Sequence, residues 1–265
     1  MATSIDSELE ASSSTGSAPR LIVALDVPTA TEAQKIVSAL GDSVNFYKVG
    51  MQLYTAEGPQ IVRDLVHSQK QVFLDLKYHD IPNTVAAAVR EAAQLGVSML
   101  TVHASGGSKM LQAAVEAAKI SAANFKNTRG ATGVLARPTH PQILAVTVLT
   151  SMDESGLNAT GVPGHVLDQV VRLTAMALKA GCSGIVSSAQ EVKTLRENLG
   201  NEFLAVTPGV RPAGAQHGDQ ARVVTPADAI VAGATHIVVG RPITAAPNPA
   251  QAAAAILQEM TRASA

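Results

Sequence analysis

QVFLDLKYHDIPNTVAAAVREAAQLG, residues 71–96, holds two different periods back to back. Its first part, QVFLDLKY (71–78), is a short apolar run that reads as a strand. Its second, from Pro82 to Leu95, is Ala-rich with helical spacing and has proline in its first turn. A single strand–helix unit cannot cover both faces of its strand, so the pattern points to repeated units packed around a parallel sheet.

The unit recurs on both sides of this stretch. LIVALDV (21–27) and FYKVG (46–50) precede it as strands, and SMLTVHA (98–104), ILAVTVLT (143–150), GIVSS (184–188), EFLAVTPG (202–209) and HIVVGRPI (236–243) follow. Helices are expected from Thr31 to Leu40, Pro59 to His67, Lys109 to Asn124 and Pro163 to Ala180, then from Ala189 to Asn198, Pro226 to Ala232 and Pro249 to Met260. Eight strands and eight helices within residues 20–265 match an α/β fold of the (β/α)8 TIM barrel kind, typically about 250 residues in a single domain. A doubly wound open sheet is the alternative. It is disfavoured because no G-x-G-x-x-G follows the first strand.

Two stretches fall outside the repeat. Residues 1–19, MATSIDSELEASSSTGSAP, have only Ile5 and Leu9 as larger apolar residues and are expected to form a disordered tail. NFKNTRGATGVLARPTHP (124–141) has no clear period and reads as a long surface loop.

Composition narrows the function. With 46% apolar and 15% charged residues, the chain is neither disordered nor fibrous. Its 20 Lys plus Arg against 21 Asp plus Glu give a net charge of −1, so no global field draws it to nucleic acid or to anionic lipid. Cys182 stands alone, which rules out an intrachain disulfide framework and a cysteine-based zinc cluster and fits a reducing, cytoplasmic setting. The longest apolar runs, LIVAL (21–25) and AAAAIL (252–257), fall far short of the roughly 20 residues that span a bilayer.

In such a barrel the chemistry sits at the carboxyl ends of the strands. Asp26 ends the first, Lys48 lies on the second, and Asp75 and Lys77 end the third, with Asp80 in the loop beyond. Asp75 and Lys77 are two apart and on a regular strand share one face. Neighbouring strands about 4.8 Å apart would gather Asp26, Lys48, Asp75 and Lys77 at one mouth. Taken singly, each is an ordinary surface ion pair. As a set on otherwise apolar strands they read as a functional array in which Lys and Asp neutralise one another, and a lysine kept charged there is a candidate proton donor.

A second constellation lies at the last two strands, where TPGVRP (207–212) and GRPI (240–243) place Gly near Arg. These strands commonly build a phosphate site in this fold, with Gly240 letting backbone approach an anion and Arg241 binding two oxygens. VRPAGAQHGDQ (210–220) between them is long for a connection and reads as a lid. His103 reads as a core histidine, Cys182 as a buried filler, and Gly106 and Gly107 as a tight turn. His79 beside Asp80 has no third ligand at metal-binding spacing.

FLDLKYHDIPNT (73–84), with the spacing Asp75-x-Lys77-x-x-Asp80-Ile81-Pro82, closely resembles the signature of the orotidine 5′-monophosphate decarboxylase family. ALDVP (24–28), YKVG (47–50), VTVLTSMD (146–153), TPGVRP (207–212) and VVGRPI (238–243) occur in family order and look like its bacterial branch, so the resemblance spans about residues 20–260. It implies decarboxylation of orotidine 5′-monophosphate to uridine 5′-monophosphate and CO2, the last step of pyrimidine nucleotide synthesis, without metal or organic cofactor. It further implies that Lys77 stabilises the developing carbanion and protonates C6, that Asp75 lies near the departing carboxyl group, and that Asp26 and Lys48 meet the ribose. Thr150 would contact the pyrimidine, and Arg211 would belong to the lid, with Gln220, Gly240 and Arg241 on the phosphate. Asp80 and Thr84 would cross a homodimer interface into the neighbouring site.

Rival readings exist within the same barrel superfamily. A magnesium-dependent 3-keto-gulonate-6-phosphate decarboxylase or hexulose-phosphate synthase shares D-x-K-x-x-D, but those relatives place an acidic ligand on the second strand, where Lys48 would repel Mg2+. A Schiff-base aldolase needs a neutral amine, which flanking carboxylates would keep protonated. A non-catalytic nucleotide-binding barrel would have no need of the buried Lys and Asp set.

Overall fold

The strand read from QVFLDLKY is β3 (Gln71–Tyr78), and the helix begun by Pro82 is α4 (Pro82–Gln94). α4 turns Val85, Val89, Ala92 and Ala93 inward, the spacing of one helical face. The computed structural model describes residues 20–126, 140–212 and 224–264. The expected tail (1–19), all but the edges of the expected 124–141 loop, most of the lid segment and Gln220 lie outside them.

The remaining strands are β1 (Arg20–Ala24), β2 (Phe46–Gly50), β4 (Met99–His103), β5 (Gln142–Val146), β6 (Gly184–Val186), β7 (Leu204–Thr207) and β8 (His236–Val239). They pair in chain order, all parallel, and β8 returns to β1 with Arg20 opposite His236 and Val23 opposite Val239, closing the barrel. Alternate residues point inward. Ile22, Phe46, Phe73, Met99, Leu144, Val206 and Val238 fill the barrel, while the larger core lies between the strands and the helices outside.

The helices correspond to the expected ones with differences at their ends. α1 (Ala30–Leu40) starts where Thr29 accepts a hydrogen bond from the Glu32 N–H, and α3 (Gln60–His67) follows β2 after an unexpected short helix, α2 (Met51–Glu57). α5 (Gly107–Lys126) runs two residues past its expected end and takes up the start of the expected loop. α6 (Glu154–Ala159) was not anticipated, and α7 (Val166–Lys179) begins three residues after Pro163. α8 (Ala189–Leu199), α9 (Pro226–Val231) and α11 (Pro249–Ala263) match closely.

Several strands end earlier than their apolar runs imply. β1 stops at Ala24, so Asp26 lies beyond the ladder rather than ending the strand, and β5 stops at Val146, which puts Thr150 in the loop above. The expected eighth strand gives way after Val239 to a helical turn, α10 (Arg241–Thr244), with Pro242 in it. Above β5, Val148 and Leu149 continue the apolar run because they line the mouth, whereas Leu25 after β1 is buried in the outer core with its N–H on the Lys48 carbonyl at 2.9 Å.

Candidate active site

Three neighbouring strands set out the charged array. Lys48 is opposite Ala24 on one side and Phe73 on the other, which puts its side chain between Asp26 and Asp75. Its Nζ donates to Asp26 Oδ1 at 2.7 Å and stands 3.9 Å from Asp75 Oδ2; Lys77 Nζ donates to Asp75 Oδ1 at 2.9 Å. The result is an alternating line, Asp26, Lys48, Asp75, Lys77. Its outer member, Asp26, is exposed, whereas the Lys48 and Asp75 side chains are 12% and 14% exposed. Two positive and two negative groups leave the line neutral as a whole, which limits the cost of holding it at the dry end of a pocket.

Asp75 and Lys77 do meet, though not through the regular strand alternation expected of them. Leu74 pairs with Leu100 and Tyr78 with Val102, so four steps along β3 are matched by two along β4. Lys77 takes up the difference in a left-handed conformation, φ +52°, which costs a non-glycine residue about 1–2 kcal/mol. Its N–H is held by the hydroxyl of Thr101 on β4 at 2.9 Å, and that hydroxyl donates in turn to Asp75 Oδ1 at 3.0 Å. Backbone irregularity of this kind is common where a side chain must be aimed.

Thr101 is a residue that sequence reading missed. The signal was present in SMLTVHA: Thr101 shares the inward face with Met99, one strand away from Asp75. Gly50, within YKVG, has a role of its own: a Cβ there would come within 2.9 Å of Lys48 Nζ and 3.3 Å of Asp26 Oδ1. The missing side chain leaves room for that ion pair.

The array opens into a cavity of about 400 Å³ over the top of the barrel, within the usual range for small-molecule sites. Phe73, Val146, Val186 and Val238 supply an apolar part, and Val148, Leu149 and Thr150 form the side above β5. Pro208, Gly209, Arg211, Gly240 and Arg241 form the side above β7 and β8. Arg211 is almost wholly buried; burial first, and then the nearby Arg241 charge, lower its pKa from the ordinary arginine value. The Arg211 N–H also bonds to the Val224 carbonyl at 2.9 Å, which holds residues 211 and 224 side by side. Two guanidinium groups gathered in this way suit a dianionic phosphate.

Of the sequence-predicted residues, Asp26, Lys48, Asp75, Lys77, Thr150, Arg211, Gly240 and Arg241 line this one cavity. Asp80 and Thr84 do not. Asp80 is exposed and accepts the Ile81 N–H at 2.6 Å, and Thr84 is exposed on the first turn of α4. Gln220 lies outside the described residues. His103 is half-buried rather than a core residue: its ring lies 5.3 Å from that of His79, and burial followed by the His79 and Lys77 charges lowers its pKa. Cys182 is buried, with its thiol pushed up to about 12, as a filler would be. Among the described residues no group of three His, Cys, Asp or Glu side chains could hold a metal ion, and no helix is long and apolar enough to cross a membrane.

Residues 19–256 match the model of the orotidine 5′-phosphate decarboxylase / HUMPS family. The orotidine 5′-phosphate decarboxylase of Moorella thermoacetica is 49% identical over 242 residues, covering 91% of this chain and 92% of the relative. That of Nitrosococcus oceani is 48% identical over 242 residues, 91% of this chain and 97% of its own. In three dimensions, the crystal structure of the Lactobacillus acidophilus orotidine 5′-phosphate decarboxylase superposes with a TM-score of 0.78 at 39% identity, covering 91% of this chain and 99% of that one. A family match over most of the chain, relatives at nearly half identity, and the same closed barrel agree: this chain belongs to the orotidine 5′-phosphate decarboxylase / HUMPS family.

Proposed function

We propose that this chain converts orotidine 5′-monophosphate to uridine 5′-monophosphate and CO2, with Lys77 as the proton donor. The observation that carries the reading is the line Asp26–Lys48–Asp75–Lys77, ending on an ammonium group inside a cavity that also holds Arg211 and Arg241. The family also contains barrels of other activity. Lys48 separates them, because an ammonium 2.7 Å from Asp26 and 3.9 Å from Asp75 occupies with positive charge the place where a divalent cation would need acidic ligands.

The chemistry follows from the array. Breaking the bond between C6 and the carboxyl carbon leaves its electron pair in an orbital in the plane of the pyrimidine, where the ring π system cannot take it up. A fixed positive charge beside C6 is then the main available stabilisation. Lys77 supplies that charge and afterwards its proton, forming the C6–H bond; the neutral amine left behind regains a proton from solvent. Asp75 holds Lys77 and stands near the departing carboxylate, while Asp26 and Lys48 receive the ribose hydroxyls. Thr150 meets the base. Gly240, Arg241, Arg211 and Gln220 hold the phosphate, the last two as parts of a lid.

Asp80 and Thr84 act in the site of a second copy of the chain. Supporting this, both are exposed and neither lines the cavity of its own chain, and between them Ile81 is 66% exposed, a large apolar side chain suited to an interface. The working unit is thus a homodimer with shared sites. A near-neutral chain with one buried cysteine supports a cytoplasmic enzyme that acts on a free nucleotide and needs no nucleic-acid or membrane partner.

The test is to follow the ultraviolet absorbance of orotidine 5′-monophosphate on adding protein treated with EDTA. Turnover undiminished by chelation is expected. Activity that disappears in EDTA and returns with Mg2+ would move the chain to the magnesium-dependent members of the family.

A further inference from the structure

We infer that Thr101 is a positioning residue for the proton donor. The inference rests on the proposed decarboxylation and adds to it a residue that does not line the cavity. Thr101 is fully buried on β4, and its one hydroxyl is used twice: it accepts the Lys77 N–H at 2.9 Å and donates to Asp75 Oδ1 at 3.0 Å. The same oxygen of Asp75 accepts the Lys77 ammonium at 2.9 Å. Both ends of Lys77 are therefore tied to one carboxylate oxygen, the ammonium directly and the backbone amide through Thr101.

The polarity of this ring is fixed. A carboxylate can only accept and an amide N–H can only donate, so the hydroxyl proton has one place to go and its orientation is set. The ring closes where β3 departs from regular pairing with β4 and Lys77 takes its positive φ, so the backbone amide is satisfied by a side chain instead of the strand ladder. Remove the hydroxyl and two things loosen together: the turn that aims Lys77, and the rotation of the Asp75 carboxylate between Lys77 and Lys48. Neither change removes a phosphate contact, and on the ribose side Lys48 keeps its 2.7 Å bond to Asp26. The expected consequence is a loss in the chemical step with little loss in binding.

The experiment compares Thr101→Val, which keeps the shape without the hydroxyl, Thr101→Ser, which keeps the hydroxyl, and Thr101→Cys, which keeps only a weak donor. For each, kcat, KM and the Kd of uridine 5′-monophosphate are measured beside the unmodified protein. Thr101→Val is expected to lower kcat about 10- to 100-fold with KM and Kd within about twofold, and Thr101→Ser to return kcat to within about threefold. A Thr101→Val protein with unchanged kcat would overturn the inference, as would loss of product affinity in step with kcat, or failure of serine to restore the rate. Should Thr101→Val not fold, the serine and cysteine variants decide: cysteine must be several-fold slower than serine at equal KM, and equal rates overturn the role. The unmodified protein separates the two levels. If it is inert toward orotidine 5′-monophosphate, the proposed function falls and this inference with it, whereas normal turnover with an unaffected Thr101→Val removes the positioning role alone.

Discussion

At the mouth of the barrel Lys48 and Lys77 stand within 4 Å of carboxylates on other side chains, whereas at the floor Arg196 is closed off by backbone and His236 by burial. The Arg196 guanidinium donates to the carbonyls of Gly233 (2.9 and 3.2 Å), Asn201 (3.1 Å) and Phe203 (3.0 Å) and lies 4.1 Å over the Phe203 ring. It joins α8 to the loops entering β7 and β8. His236 points into the barrel edge-on against Phe46, and burial together with the Arg20 charge pushes its pKa down to about 4. The two ends differ in how freely their polar groups can change partners. Carbonyls held by the fold cannot be exchanged for a ligand, but a chain of Lys and Asp side chains can redistribute its hydrogen bonds when a substrate carboxylate arrives. Changes at the mouth should therefore alter turnover and spare stability, and changes at the floor should do the reverse.

The largest effect expected of this contrast is that of Lys77→Ala. Loss of both the stabilising charge and the proton donor should lower kcat about 10⁴-fold or more, while melting followed by circular dichroism stays close to that of the unmodified protein. A variant that keeps most of its kcat would show that another group protonates C6. One that no longer folds would show that the mouth holds the fold together as the floor does.

The floor has the opposite expectation. Because the folded-state pKa of His236 lies below the unfolded value near 6.5, the unfolded chain binds the extra proton between about pH 6.5 and 4. The stability associated with neutral His236 is complete above that window and is lost as pH falls through it. The slope is about 1.4 kcal/mol per pH unit, or about 2 kcal/mol by pH 5. Urea unfolding of the native protein and of His236→Gln at several pH values measures it: the variant should lack this part of the slope and keep its kcat at neutral pH. Equal slopes would mean that His236 is not held neutral in the fold.

Arg241→Ala probes the proposed phosphate side of the mouth, with a smaller effect because Arg241 is exposed to solvent. Affinity for uridine 5′-monophosphate should fall about tenfold, and affinity for uridine should not change. Calorimetry with the two ligands makes the comparison. Equal losses for both would separate Arg241 from the phosphate.

Much of this contrast could be read from the sequence, and what could not has a physical cause. Each short apolar run followed by a stretch of helical spacing marked its strand, because apolar period reports burial directly. The strand ends differ from the apolar runs for the same reason: Thr150 follows Val148 and Leu149, which line the mouth, and Asp26 follows Leu25, buried against the helices, and hydropathy does not distinguish either from a paired strand residue. α2 was invisible because a seven-residue helix that buries only Leu53 has almost no period. The charged array was legible in Asp75 and Lys77, two apart at the end of one strand, with Lys48 on the strand beside them and Asp26 just past the first, but the left-handed turn at Lys77 was not. No glycine marks it, and it is held from another strand by Thr101, a contact that depends on the register of β3 against β4. The floor histidine gave no signal in HIVVGRPI beyond its place in an apolar run.

The smallest fraction of native activity to be read comes from a mixing experiment on whether the mouth of one chain is complete. Asp80 and Thr84 do not line their own cavity, and in the proposed dimer they serve the partner's. Lys77→Ala and Asp80→Ala should each be inactive alone, by different routes: one lacks the donor in every site, the other lacks the carboxylate contributed to every site from across the interface. In a mixed dimer both lesions fall in the same site and the other site is intact. If subunits exchange at random in equal amounts, about half of the dimers are mixed and about a quarter of all sites recover, a consequence of two-fold symmetry. Recovery near that fraction of native activity, with mixed dimers counted by native mass spectrometry, is the expected result. Mixed dimers that form and stay inactive would assign Asp80 to its own chain, and the exposure of Asp80, Ile81 and Thr84 would then need a different explanation from the shared site.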